Sequence, residues 1–483
     1  MSPELIFGSF IIYTFVIFVI AWFTSRKADN QSFFIGNHKS PWIVVAYGMI
    51  GASLSGVTFI SIPGWVGDTG FSYFIIVLGY VFGYAIISTV LLPLYYRLNL
   101  TSIYTYLGIR FGNHAYKTGS VYFLISRIIG ASFRMFLVVS VLQVFVFDYF
   151  EIPFWVTVII FMGLIQLYTL KGGIKTIIWT DTLQTTFMLI AVIATIFIIT
   201  SHMNIGIIEA VSNVWESDLS QIVITDINSK QNFIKLFLSG VFITIVMTGL
   251  DQDMMQKNLS CRNVRDAQKN MTTLSLVLIP VNLIFLFLGG MLFLYSGHFN
   301  ISPTLSTDHV FPDIAFNYLG TTAGIIFIIG LVSAAYSSAD SALTSLTTSF
   351  SIDILGLDKK YSNNAKLLKK KRYLVHVSMS IIVIFVIVFF KLINNQAVIA
   401  QLFTFAGYTY GPLLGLYSFG LFTKFKTNDK FIPVIAIIAP ILSYVISRYS
   451  MLLFNGYQIG FELLIINGIL TFCGLLIFKR RTT

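Results

Sequence analysis

A row of hydroxyl side chains inside an otherwise apolar segment is the first sign of chemistry in this chain. In GLVSAAYSSADSALTSLTTS, Gly330 to Ser349, the residues Ala334, Ser337, Ser338 and Ser341 are related by steps of three and four, which on a helix places them on one face. Thr344, Ser345 and Thr348 continue the stripe. Such a row suits Na⁺, a hard cation that takes about five or six oxygens. Hydroxyls and loose backbone carbonyls can supply these without a buried countercharge. The plainer alternative is serine bonding back to its own helix and close packing of small residues.

Six ionisable residues fall within the apolar stretches: Arg127, Arg134, Asp181, Asp251, Asp253 and Asp340. Each costs roughly 2.5 to 3.5 kcal/mol on insertion scales and needs a partner or a wet cavity. Asp251 and Asp253 are expected toward one end of their span, near the interface. A guanidinium presents a planar fork to both oxygens of a carboxylate and keeps its charge, so Arg134 is the candidate anchor for an acidic solute. Pairing of both arginines with Asp181 or Asp340 is the structural alternative.

The elements that position these groups are membrane helices. Of the 483 residues, 56% are hydrophobic and 11% charged, too few polar groups to wet the surface of a soluble domain this size. Thirteen apolar stretches begin near Pro3, Trp42, Tyr73, Ser120, Pro153, Thr176, Phe233, Met271, Tyr318, Leu374, Val398, Phe431 and Phe461. Most are long enough to cross about 30 Å of hydrocarbon. The net charge of +11 reports topology, not a nucleic-acid surface, because the basic residues concentrate in alternate loops. Twenty-five of the 31 lysines and arginines fall in loops of one side, including Lys27, Lys257 and Arg481, against Lys230, Lys235, Lys391 and Arg448 on the other. The positive-inside rule then puts the N-terminus outside and the C-terminus in the cytoplasm. The expected setting is a cell membrane, with the lipid bilayer as main solvent.

Two spans are interrupted by small and polar residues, MIGASLSGVTFISIPG (Met49 to Gly64) and VMTGLDQDMMQ (Val246 to Gln256). They are the second and seventh stretches, so five helices start at each. Paired interruptions in corresponding halves point to an inverted-repeat transporter with an ion and solute site at the breaks. Neither cysteine has metal-ligand spacing, the six histidines are scattered, and no HExxH, P-loop or dinucleotide fingerprint occurs, so an enzyme is not expected.

The segments LYTLKGGIKTIIWTDTLQ (Leu167 to Gln184), GLDQDMMQKNLSCRNVRDAQK (Gly249 to Lys269), the serine stripe ending in FSIDI, and YTYGPLLGLYSFGLFTK (Tyr408 to Lys424) resemble the sodium/solute symporter family. The family includes bacterial carriers of sugars, sialic acid and proline. The resemblance implies an all-α LeuT-like fold in a single transmembrane domain. Residues 3–24 form an extra first helix, 41–424 the five-plus-five core, and 431–479 two further helices. It implies a sodium-coupled importer of a small organic solute, working by alternating access. The resemblance further implies one Na⁺ held by the carbonyls of Gly51, Leu54 and Ala334 and the hydroxyls of Ser337 and Ser338. Asp181 and Ser341 are implied for a second ion site, and Asp340 stands where a two-sodium relative carries a hydroxyl. Ser53, Ser55 and Thr58 are expected at the solute, with Arg134 and Thr404. A proton-coupled carrier of the same fold and a membrane sensor or channel are the competing readings.

Overall fold

The computed structural model describes residues 3–26, 29–301, 307–393 and 398–480. Lys27 and Arg481, counted with the basic loops, lie outside the described residues. Among the described residues the regular structure is helical apart from one two-residue strand pair, Lys426–Thr427 with Lys479–Arg480, and an isolated bridge between Ser40 and Cys261. All thirteen apolar stretches coincide with helices: α1 (Pro3–Ser25), α2 (Trp42–Thr69), α3 (Tyr73–Arg97), α4 (Asn113–Leu142), α5 (Phe154–Gly172), α6 (Ile174–His202), α7 (Phe233–Gly249) bent into α8 (Gln252–Leu259), α9 (Val264–His298), α10 (Gly320–Ser349), α11 (Ala365–Ile393), α12 (Val398–Phe422), α13 (Ile432–Arg448) and α14 (Leu463–Ile477). Among the described residues, 10 helices are long and apolar enough to cross a membrane alone, and the bent α7–α8 pair brings this to 11. The remaining two stretches fall on α12 and the short α14.

The packing repeats itself between two groups of five. Counting α2–α6 as one group and α7/α8, α9, α10, α11 and α12 as the other, the first helix of each packs on the second helix of the other, as α2 on α9 and α7 on α3. The fifth of each packs on the third of the other, as α6 on α10 and α12 on α4. Glycine permits the closest of these approaches: a Cβ on Gly240 of α7 would meet the Ile76 carbonyl of α3 at 2.2 Å, and one on Gly289 of α9 the Pro63 carbonyl of α2 at 2.6 Å. Small residues at such crossings let backbones touch without a hydrophobic drive between helices.

Both leading helices are broken where the small residues cluster. In α2 the break is Ser55, at φ 47° and ψ 171°, a conformation that a serine adopts only when its surroundings hold it there. In the other half, a wide turn at Ile245–Gly249 closes α7, and α8 departs at 63°. Asp251 caps α8, its Oδ1 accepting from the amides of Asp253 at 2.9 Å and Met254 at 3.4 Å, the usual role of an N-cap carboxylate.

Candidate functional site

The two breaks are finished differently. At the second, tyrosine hydroxyls take up the loose carbonyls: Tyr95 Oη donates to Gly249 O at 2.8 Å and Tyr104 Oη to Leu250 O at 2.9 Å. At the first, no side-chain donor among the described residues reaches the carbonyls of Gly51 or Leu54. Carbonyls beside a break are satisfied by the protein or offered to a ligand, and here the two breaks differ in whether side chains take part.

Residues of α6 connect that break to the hydroxyl row. The Gly51 amide donates to Thr185 Oγ1 at 3.1 Å, and a Cβ on Gly48 would lie 2.9 Å from Asp181 Cβ. One turn before Thr185, Asp181 Oδ1 accepts from Ser337 Oγ of α10 at 2.8 Å. Because Ser337 gives its proton to a carboxylate, its lone pairs stay free for a cation. Ser338 Oγ bonds back to the Ala334 carbonyl at 3.2 Å, so the plainer reading of the stripe holds for this hydroxyl. Ala334, Ser337 and Ser338 are all buried. Thr185 and Asp181 of α6 thus link Gly51 of α2 to Ser337 of α10, and the hydroxyl bonded to Asp181 is that of Ser337.

Among the described residues, Asp340 does not pair with an arginine. Its Oδ2 accepts from Tyr168 Oη of α5 at 3.0 Å and its Oδ1 from the Ser341 amide at 2.6 Å. The Ser341 hydroxyl and both amide atoms of Gln184 are buried without a hydrogen-bond partner.

A cavity of about 90 Å³ opens beside the first break. Ser53, Ser55 and Thr58 of α2 line it, with Arg127 and Arg134 of α4, Thr244 and Thr248 of α7, and Asn282 of α9. Tyr73, Tyr80 and Tyr84 form its aromatic wall, Tyr73 and Tyr80 joined through their hydroxyls at 3.1 Å. The two arginines differ. Arg127 ion-pairs with Asp253 and lies 3.9 Å from Asp251 Oδ2, which also accepts from Tyr410 Oη at 2.5 Å. Arg134 has no carboxylate within ion-pairing distance among the described residues, and its Nε is buried without a partner. The cavity wall therefore holds both guanidinium groups and neither carboxylate.

Three expectations are corrected. Thr404 is exposed on the outer face of α12 and bonds back to the Ala400 carbonyl at 2.8 Å, while Ile399, Leu402 and Phe403 face the cavity. Successive helical residues turn by about 100°, so one position separates cavity from exterior. Asp251 and Asp253 are fully buried and compensated by Arg127, not interfacial. Lys257, expected in a polar loop, is 1% exposed on α8 and ion-paired with Asp181 at 2.7 Å.

Comparison with known proteins agrees with this arrangement. The family model for sodium:solute symporters matches residues 33–430. The chain belongs to the sodium:solute symporter family. The symporter is 25% identical to a sodium/sialic acid symporter of Aliivibrio fischeri, over 94% of this chain and 90% of that one. It is 24% identical to sodium-coupled monocarboxylate transporter 1 of Mus musculus, over 87% of this chain and 71% of that one. A solved structure of a Na⁺-coupled sialic acid symporter, in a substrate-bound outward-open state, superposes with a TM-score of 0.84 at 20% identity, covering 99% of both chains. A nucleobase-cation-symport-1 family transporter in a closed conformation superposes at 0.57 and 12% identity, covering 92% of this chain and 93% of that one. The fold is the LeuT-like five-plus-five repeat, with the breaks in its first and sixth helices, and the chain is a sodium-coupled symporter.

Proposed function

We propose that this symporter imports a small organic carboxylate together with Na⁺. The observation that carries the reading is Arg134, a buried guanidinium in the cavity wall with no carboxylate paired to it among the described residues. A desolvated, unpaired cation is costly unless an anion arrives, and the fork geometry fits a carboxylate. The volume of about 90 Å³ suits a short acid, and the hydroxyls of Ser53, Ser55 and Thr58 with the Asn282 amide provide polar contacts for its body. Two named relatives transport acids, sialic acid in one case and monocarboxylates in the other, which supports the same class here.

Sodium binds at the carbonyls of Gly51, Leu54 and Ala334 and the hydroxyls of Ser337 and Ser338. A second ion site draws on Asp181, Asp340 and Ser341. The domain is single, with the extra helix at 3–24, the core at 41–424 and the final pair at 431–479. The basic loops face the cytoplasm of a bacterial cell, leaving the N-terminus outside. Each positive charge moved inward gains about 2.3 kcal/mol per 100 mV, so one ion with an anionic solute draws on the sodium gradient alone and two ions draw on the potential as well.

The test is a thermal-shift screen of the purified protein against short monocarboxylates, sialic acids, their neutral amides and hexoses, in NaCl and in choline chloride. A carboxylate that stabilises only with Na⁺ present, its amide being inert, is the expected result. Stabilisation by a hexose or an amide, or equal stabilisation in choline, would refute it.

A further inference from the structure

The Lys257–Asp181 pair stands where no solvent explains it. Both side chains are at most 1% exposed. The Lys257 ammonium has three protons to donate, and Asp181 Oδ2 at 2.7 Å is its one acceptor among the described residues. The other carboxylate oxygen, Oδ1, holds the Ser337 hydroxyl at 2.8 Å. Lys257 thus sits one carboxylate away from an oxygen of the proposed sodium site, on the helix that follows the second break.

We propose that Lys257 is the protein's own competing cation for the sodium site. In the ion-free state its ammonium neutralises Asp181; Na⁺ arriving at Ser337 draws on the same carboxylate and is repelled by the ammonium, so binding weakens the tie between α8 and α6. The outcome reaches the solute because Met254 of α8 and Thr244, Met247 and Thr248 of α7 line its cavity. Through this pair, sodium occupancy bears on the broken helix that shapes the solute pocket. The proposal rests on the sodium reading above and adds the residue that sets ion affinity and links it to the second break.

The test uses the purified full chain and measures the Na⁺ concentration giving half of the sodium-dependent rise in unfolding temperature, with choline chloride holding ionic strength constant. K257M removes the competitor and leaves Asp181 unpaired, so the midpoint falls by about tenfold, a modest share of what a like charge at this range can exert. K257R keeps the charge and stays within about twofold of wild type. D181N removes the carboxylate hydrogen-bonded to the ammonium and raises the midpoint by about tenfold or more. D181N/K257M brings it back toward wild type. If K257M does not fold, the comparison of D181N with D181N/K257M carries the test, since removing the lysine from that background must restore sodium affinity. Equal midpoints for K257M and wild type, or for D181N and the double variant, would overturn the role of Lys257 while leaving the sodium site standing. Absence of any sodium effect in the wild type would overturn the sodium reading and the lysine proposal with it.

Discussion

Arg134→Leu separates an anchoring arginine from a structural one. Among the described residues Arg134 has no ion-paired carboxylate and its Nε has no partner, so its removal takes away a buried charge without breaking an ion pair. The unfolding temperature of the solute-free variant should equal or exceed that of the parent. Arg127→Leu is the control. It leaves Asp253 buried without its ion-pair partner and removes the guanidinium 3.9 Å from Asp251, which costs about 3–5 kcal/mol and lowers the unfolding temperature. Binding moves the other way. Hydrogen bonds to a charged group contribute about 1.5–3 kcal/mol, so Arg134→Leu should raise the KM for the carboxylate by roughly 10- to 150-fold. Arg134→Lys keeps the charge and loses the fork, and its KM falls between. The assays are thermal unfolding in detergent and uptake into proteoliposomes under an inward Na⁺ gradient. An Arg134→Leu variant with unchanged KM, or one destabilised as severely as Arg127→Leu, would refute the anchoring role.

Two further outcomes follow from particular side chains. Ser338→Ala deletes one of five proposed sodium ligands and should raise the Na⁺ concentration for half-maximal uptake by about tenfold, equivalent to 1.4 kcal/mol; an unchanged sodium dependence would count against that ligand set. Asp308 lies in the loop between α9 and α10, accepts from the Val398 amide at 3.0 Å, and is pushed above the usual carboxylate range by burial, against the pull of His309. A folded-state value above the unfolded one means that the native state is favoured at low pH and loses that advantage as pH rises through the folded value. Asp308→Asn, which can still accept from Val398, should therefore raise the unfolding temperature near neutral pH, with the gain shrinking as pH falls and vanishing only well below the unfolded value of about 4. A loss of stability at neutral pH would show that the ionised carboxylate is favourable.

The membrane helices were legible because hydropathy over about twenty residues is a strong signal, and both breaks were legible because glycine, serine and aspartate interrupt apolar runs at Gly51–Gly56 and Gly249–Asp253. The pairing of buried charges was not. Lys257 follows Asp251, Asp253 and Gln256 in sequence and precedes further basic residues, so local composition reads as a loop; only the bend that turns α8 back among α2, α6 and α10 buries it. Thr404 failed by one helical position, an error that periodicity cannot correct when the neighbouring Phe403 and Phe405 are equally apolar. The tyrosine wall was missed because Tyr73, Tyr80 and Tyr84 sit among other aromatic and apolar residues. Their spacing of seven and four, which places them on one helical face, was the available clue, as was Asn282, a lone amide in the apolar run around Pro280.

Sodium-coupled movement of a carboxylate is tested most directly by accumulation in proteoliposomes of the purified protein, loaded with choline and given either an inward Na⁺ gradient or an inward proton gradient in choline. The expected result is concentration of the acid above its outside level under the Na⁺ gradient and equilibration at most under the proton gradient. Accumulation driven by protons without sodium, or a Na⁺ gradient that leaves the acid unconcentrated, would contradict it.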